Sequence, residues 1–141
     1  MNVSDVMTKS VECIAPEATV QEAARMMRRL DVGALPVCTA DKLAGMITDR
    51  DITIRSVAEG QSPRSARVRD IMTTQIVYCF DDQTATEAAD LMRKKQIRRL
   101  PVLNHAKRLV GILSLGDLAV ETHDEELVGS ALEGISEPTH A

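Results

Sequence analysis

The sequence predicts an α+β fold of two tandem repeats, each running strand, helix, strand, strand, helix. Three observations lead to it: the chain repeats itself, its apolar spacing alternates between strand and helix periods within each copy, and 141 residues suffice for two small units. Sliding the sequence by 65 sets Val3-Ser4-Asp5-Val6-Met7-Thr8 against Val68-Arg69-Asp70-Ile71-Met72-Thr73. Glu22-Ala23-Ala24 then faces Glu87-Ala88-Ala89, and Leu35-Pro36-Val37 faces Leu100-Pro101-Val102. At an offset of 66, Leu43-Ala44-Gly45-Met46-Ile47-Thr48 faces Leu109-Val110-Gly111-Ile112-Leu113-Ser114, and Asp51 faces Asp117. A unit of about 60 residues is marginal alone, so the two copies are expected to bury their apolar faces against each other. The reading divides the chain into repeat 1 (1–62), repeat 2 (63–122) and an acidic, helical C-terminal tail (123–141).

Each copy opens with a short strand, Val11-Glu12-Cys13-Ile14 or Ile76-Val77-Tyr78-Cys79, rich in β-formers. Thr19-Val20-Gln21-Glu22 and Thr84-Ala85-Thr86-Glu87 fit the capping box, in which hydroxyl and carboxylate satisfy the free amides of a helix start. Apolar residues follow at helical spacing, Val20, Ala23, Ala24 and Met27 in one copy and Ala85, Ala88, Leu91 and Met92 in the other. The methionines are therefore core filler. Leu35-Pro36-Val37 and Leu100-Pro101-Val102 begin a strand that returns through a hairpin near Ala40-Asp41-Lys42 or Asn104-His105-Ala106-Lys107. A last helix begins near Asp49 or Leu115, and the first copy's ends by Gly60. In the tail, Leu127, Val128, Ala131, Leu132 and Ile135 form one apolar stripe, to pack on the body or on a second subunit.

Composition removes several function classes. Aromatics are 1% of the chain, Tyr78 and Phe80, too few for the stacking platforms of nucleic-acid readers, so nucleic acid is not an expected partner. No apolar run approaches the roughly 20 residues of a membrane span, and the N-terminus lacks a secretory signal; a cytoplasmic location is expected. Residues 1–65 carry 8 basic and 9 acidic side chains (−1), residues 66–120 carry 9 and 6 (+3), and residues 121–141 carry 0 and 6 (−6). A body of +2 can hold an anionic small ligand at a local basic cluster. His105 falls in a hairpin turn and His123 and His140 in the tail, so neither a triad nor a zinc site is expected, and phosphate-loop motifs are absent from the sequence. No catalytic residue, metal or cofactor is assigned, and the chain is not expected to be an enzyme.

What recurs is a Thr/Ser-x-x-Asp kernel at each strand-to-helix junction, Thr48 with Asp51 and Ser114 with Asp117. The pattern is itself a capping box. Asp is shorter than the Glu used at both earlier helix starts, however, which suggests a carboxylate facing outward. Beside the free amides of a helix start, such a carboxylate can accept two hydrogen bonds from a vicinal diol. Phosphate plus diol describes a ribonucleotide.

Together, the Val-x-Asp-Val-Met-Thr opening, the Glu-Ala-Ala helix, the Leu-Pro-Val strand and the Gly-x-x-Thr/Ser-x-x-Asp ending resemble the cystathionine β-synthase (CBS) domain, here as a tandem pair, over roughly residues 3–120. The resemblance implies a regulatory sensor whose repeats pack with pseudo-twofold symmetry, binding AMP, ADP, ATP or S-adenosylmethionine in clefts between them, and working as a homodimer. It implies ribose binding by Asp51 and Asp117 with the hydroxyls of Thr48 and Ser114. Base-lining positions fall on Ser10, Glu12, Val32 and Gly33 for the cleft of Asp117, and on Gln75, Val77, Ile97 and Arg98 for that of Asp51. Arg98 and Arg99 stand where the family often places phosphate-binding cations, and the first copy has Gly33 and Ala34 there, so unequal sites are expected, with that of Asp117 the better for a charged ligand. The Gly-Ala-Leu-Pro-Val-Cys and Met-Ile-Thr-Asp-Arg-Asp-Ile segments are similar to stand-alone bacterial stress proteins of the hypoxic response type. Cys13 and Cys38 match places in that type, on neighbouring strands where a disulfide is geometrically possible. The alternative function is an interaction protein of the stress response whose clefts are vestigial and bind no nucleotide.

Overall fold

The computed structural model describes residues 1–138. In chain order the elements are helices α1 (Val3–Val6) and α2 (Val20–Leu30), strands β1 (Ala34–Thr39) and β2 (Lys42–Thr48), helix α3 (Asp49–Asp51) continuing as π-helical turns (Ile52–Val57), and helix α4 (Val68–Ile71). There follow strand β3 (Cys79–Phe80), helix α5 (Ala85–Lys95), strands β4 (Arg99–Leu103) and β5 (Leu109–Ser114), and helices α6 (Leu115–Thr122) and α7 (Glu125–Ser136). Both long helices start as their sequences dictate. The Thr19 and Thr84 hydroxyls accept the Glu22 and Glu87 amides at 3.1 Å, and each Glu carboxylate accepts its Thr amide in return. Both helices end on a residue in the left-handed region, Asp31 and Gln96, each at φ 55°. The hairpins β1–β2 and β4–β5 are antiparallel, with register shifts at the equivalent steps Val37/Cys38 and Val102/Leu103. The duplication is thus visible down to single backbone irregularities.

The chain forms two compact units, but neither is a continuous repeat. One, the inserted unit, is Glu12–Ile76; the other, the split unit, joins Met1–Val11 to the chain from Val77 onward. In the split unit α1 is stitched to the turn before α5, where the Val3 and Ser4 amides donate to the Gln83 and Asp81 carbonyls at 2.8 and 3.0 Å. Val3 and Val6 lie fully within a core with Ala88, Met92, Leu100, Leu113 and Leu118. The inserted unit repeats the arrangement: the Val68 and Arg69 amides of α4 donate to Ala18 and Pro16 carbonyls at 2.9 Å, and Val68 and Ile71 join Val20, Ala23, Leu35, Val37 and Ile47. Each opening motif therefore completes the core of the unit built around the other copy's hairpin. Burying Val and Ile side chains at such positions contributes about 1.5–3 kcal/mol each.

This exchange explains where the sequence reading overstates the first strands. Val11–Ile14 contributes one parallel bridge, Ile14 to Val37, and Ile76–Cys79 contributes only β3, parallel to β4. The backbones of Thr8 and Thr73 first pair with Ile112 and Met46, and the chain then leaves one unit for the other, which uses up the extended residues on the crossing. The first copy's last helix also departs from the α-helical expectation. Ala58 and Gln61 amides donate five residues back, to Thr53 and Ser56 carbonyls, at 2.9 and 3.1 Å, and the buried Ser56 hydroxyl has no partner among the described residues. Of the two placements expected for the tail, the structure shows packing on the body: Ala131 is buried and Leu127, Val128 and Ile135 lie against the split unit's core, while Leu132 stays exposed.

Candidate functional site

Each hairpin delivers its last strand residue, Thr48 or Ser114, to a helix start in extended conformation. At the first junction the Thr48 hydroxyl accepts the Asp51 amide at 3.0 Å, and Asp51 Oδ2 accepts the Thr48 amide at 2.9 Å. At the second, the Ser114 hydroxyl accepts the Asp117 amide at 2.9 Å, and Asp117 Oδ2 accepts the Ser114 amide at 3.0 Å. Both boxes are closed. The expectation that the shorter Asp would turn outward is corrected: a side chain one methylene shorter than Glu still spans the one turn back to the cap amide.

Each box uses one carboxylate oxygen, and the second differs between copies. Asp51 Oδ1 stands 3.9 Å from the Arg55 guanidinium, on a side chain that is 15% exposed. Asp117 has Glu121 four residues on, where the first copy has Arg55, and among the described residues its second oxygen has no ion-pair partner. The arginines are carried to the same end of the split unit. Arg99 pairs with Ser114 across the sheet, and the Arg98 carbonyl accepts the Leu115 amide at 2.9 Å. Both side chains are exposed. In the inserted unit the equivalent carbonyl, that of Gly33, accepts the Asp49 amide at 2.9 Å, and the Asp49 carboxylate lies so close to Gly33 that an added Cβ would meet it at 3.0 Å. The first junction therefore has the Asp49 carboxylate beside Gly33, where the second has Arg98 at the equivalent chain position.

The remaining expected positions are distributed as follows. Ser10, Val77 and Ile97 belong to the split unit, with Ser10 exposed and Val77 and Ile97 half-buried against its core. Glu12, Val32, Gly33 and Gln75 belong to the inserted unit, and Glu12 is engaged by the Arg29 guanidinium through two bonds of 3.1 and 3.2 Å. Val32 is 39% exposed, ample for contact with a flat ring. Ser10–Glu12 and Gln75–Val77 straddle the points at which the chain passes between units.

Cys13 and Cys38 are neighbours, as the strand order implied, because the Cys38 amide donates to the Ile14 carbonyl at 3.0 Å. Both are free thiols. Burial first, and then the Cys13 contact, raise the Cys38 thiol far above its ordinary value, and burial pushes the Cys79 thiol up to about 12. Neither is a reactive thiolate near neutral pH.

One grouping escaped the sequence reading, which placed His105 in a turn and no histidine in a ligand set. His105 Nε2 lies 2.6 Å from Asp82 Oδ2, with Asp81 alongside. The residues are 23 apart in sequence, and only the parallel pairing of β3 with β4 brings the two turns to one edge. His140 lies outside the described residues.

The CBS domain family model matches residues 3–57 and again 68–124. The chain belongs to the CBS domain family. Each matched segment contains one opening motif and one Thr/Ser-x-x-Asp junction, so this is a CBS pair in an α+β fold. A CBS domain-containing protein of Bacillus subtilis, YhcV, is 43% identical over 135 residues, covering 96% of this chain and 95% of that protein. Among solved structures, Hypoxic Response Protein I with two coordinated zinc ions superposes with a TM-score of 0.79 at 36% identity, covering 86% of this chain and 98% of that one. The CBS domain pair of protein MJ0100, in complex with 5′-methylthioadenosine and S-adenosyl-L-methionine, gives a TM-score of 0.77 at 25% identity, covering 89% and 98%. Among the described residues no helix of this CBS pair is long and apolar enough to cross a membrane.

Proposed function

We propose that this CBS pair is a non-catalytic regulatory module that binds an adenosine-containing ligand, AMP, ADP, ATP or S-adenosylmethionine, with the Asp117 junction as the stronger site. One observation carries the reading: Asp117 spends a single oxygen on its own backbone, while the backbones of Arg99 and of Arg98, the latter expected in the cleft of Asp51, are tied beside the Asp117 helix start instead. A ribose hydroxyl would donate to the second Asp117 oxygen, and an arginine would take a phosphate in a charge-assisted contact. Asp51 binds more weakly, because Arg55 competes for its free oxygen and Asp49 repels phosphate at Gly33. The adenosine ligands of the MJ0100 pair support the ligand class. Ile54 and Val120, equivalent in the two copies at the offset of 66, are 50% and 66% exposed and supply apolar surface for a homodimer.

Calorimetry on ligand-free protein with each of the four ligands tests the site. Asp117→Asn keeps a cap acceptor and is expected to weaken binding about tenfold or more, the worth of a hydrogen bond to a charged group; Asp51→Asn has the smaller effect. Unchanged affinity in both variants overturns the assignment. A second reading, an interaction protein with vestigial clefts, is favoured by the closed state of both capping boxes. It predicts no heat with any of the four ligands at millimolar concentration.

A further inference from the structure

The turn after β3 and the turn after β4 leave the split unit at the same edge, because these strands run parallel with Phe80 opposite Leu103. The first turn presents Asp81 and Asp82, the second His105. Their ligand atoms, one from each, lie within 4.8 Å of one another, and the shortest separation is the 2.6 Å between His105 Nε2 and Asp82 Oδ2. Ligands of a tetrahedral zinc ion at about 2.1 Å stand about 3.4 Å apart. All separations here lie on the scale of one coordination sphere, and the 2.6 Å pair would open by about 0.8 Å through side-chain rotation to admit an ion.

Both turns are held from behind. The Asp81 amide donates to the Leu103 carbonyl and its carbonyl accepts the Ser4 amide, each at 3.0 Å, and Gln83 Oε1 accepts the Phe80 amide at 2.8 Å. In the hairpin, Asn104 Oδ1 accepts the Ala106 and Arg108 amides at 3.0 Å. The imidazole itself is oriented: Phe80 stacks on it at 4.9 Å between centroids and 9° between planes, and Tyr78 meets Phe80 edge-on at 5.6 Å. Both aromatic rings of the chain thus serve this corner.

The fold does not require any of this. In the other copy the equivalent corner is made from Ala15, Pro16, Glu17 and Ala40 at the offset of 65, with no ring and no imidazole, and its strand bridge and hairpin form all the same. The acid pair, the imidazole and the ring that orients it occur in one copy only, so packing does not account for them.

We propose that Asp81, Asp82 and His105 bind a divalent first-row transition ion, zinc being the best match to two carboxylates and one imidazole. The ion displaces the proton shared between Nε2 and Oδ2, the two carboxylate charges balance its own, and water fills the positions left open on this exposed edge. This site is separate from the Thr48–Asp51 and Ser114–Asp117 junctions, and its test does not depend on any nucleotide.

The full chain, stripped with a chelator, would be titrated with Zn²⁺ by calorimetry and with Co²⁺ by absorption spectroscopy. One equivalent is expected to bind, with cobalt bands lacking a thiolate charge-transfer component. His105→Gln and Asp82→Asn each weaken binding at least about tenfold, with unchanged helical circular dichroism. The Cys13→Ser/Cys38→Ser double variant binds as the parent does. The proposal is overturned if His105→Gln leaves stoichiometry and affinity intact, if binding disappears in the cysteine variant, or if the cobalt spectrum reports thiolate.

Discussion

Glycine shows how residue-scale contacts decide the sign of a substitution. An added Cβ at Gly111 would stand 2.9 Å from the Thr8 carbonyl oxygen and 2.6 Å from Met7 Sδ, and at Gly45 2.8 Å from both the Thr73 oxygen and Met72 Sδ. Backbone cannot swing aside as a side chain can. Gly111→Ala is expected to cost about 1–3 kcal/mol by overpacking. Gly129, inside α7, has nothing within 4 Å of the same position, and Gly129→Ala should stabilise by about 0.5–1 kcal/mol. Urea unfolding followed by circular dichroism reads both, and shifts of the same sign would refute the contrast. His105 is a second residue-scale case. The hydrogen bond and charge of Asp82, with a smaller contribution from Asp81, raise its pKa above the ordinary 6.5. The bond therefore favours the folded state below pH 6.5, and that contribution is lost as pH rises through the raised value. Proton NMR should show His105 titrating above 6.5 in the parent and lower in Asp82→Asn. The paired Thr/Ser-x-x-Asp kernels, the hydroxyl caps and the free cysteines' adjacency were legible in the sequence. The fold-back of Asp51 and Asp117 was not, because the loss of one methylene relative to Glu still leaves the carboxylate within 2.9 and 3.0 Å of its cap amide.

At the scale of elements, both long helices and both hairpins follow from local signals: Thr-x-x-Glu at the start, helical apolar spacing, Leu-Pro-Val opening a strand. The first strands were less legible, since their β-formers are spent on a crossing that only the tertiary structure defines. Periodicity identified the apolar stripe of α7 but left its partner open, for a stripe specifies what is buried and never against what. In the structure that partner is the molecule's own core, with Ala131 1% exposed. Truncation after His123 should therefore destabilise the protein by on the order of 3 kcal/mol or more, from the apolar cover of Leu127, Val128 and Ile135. Thermal unfolding at several protein concentrations is the check. A loss confined to high concentration would point to a role for α7 between subunits instead.

Over the whole molecule, internal repetition was the most informative sequence signal, yet it conceals which halves make a unit. The boundary between copies in sequence falls near residue 62, whereas the compact inserted unit is Glu12–Ile76. A fragment 12–76 retains Val68 and Ile71 in its core, but a fragment 1–65 lacks both and carries Val3 and Val6 with no cavity to receive them. Residual structure is expected in 12–76 and not in 1–65, read from the dispersion of their amide NMR spectra; equal spectra would show that the opening motifs are dispensable.

The exchange also sets an order of events at the ribosome. The inserted unit has all its parts once residue 76 has emerged, while α1, made before it, must wait until β4, β5 and α6 exist. Throughout that interval Val3 and Val6 travel uncovered, so residues translated ahead of the inserted unit find shelter only after it is complete.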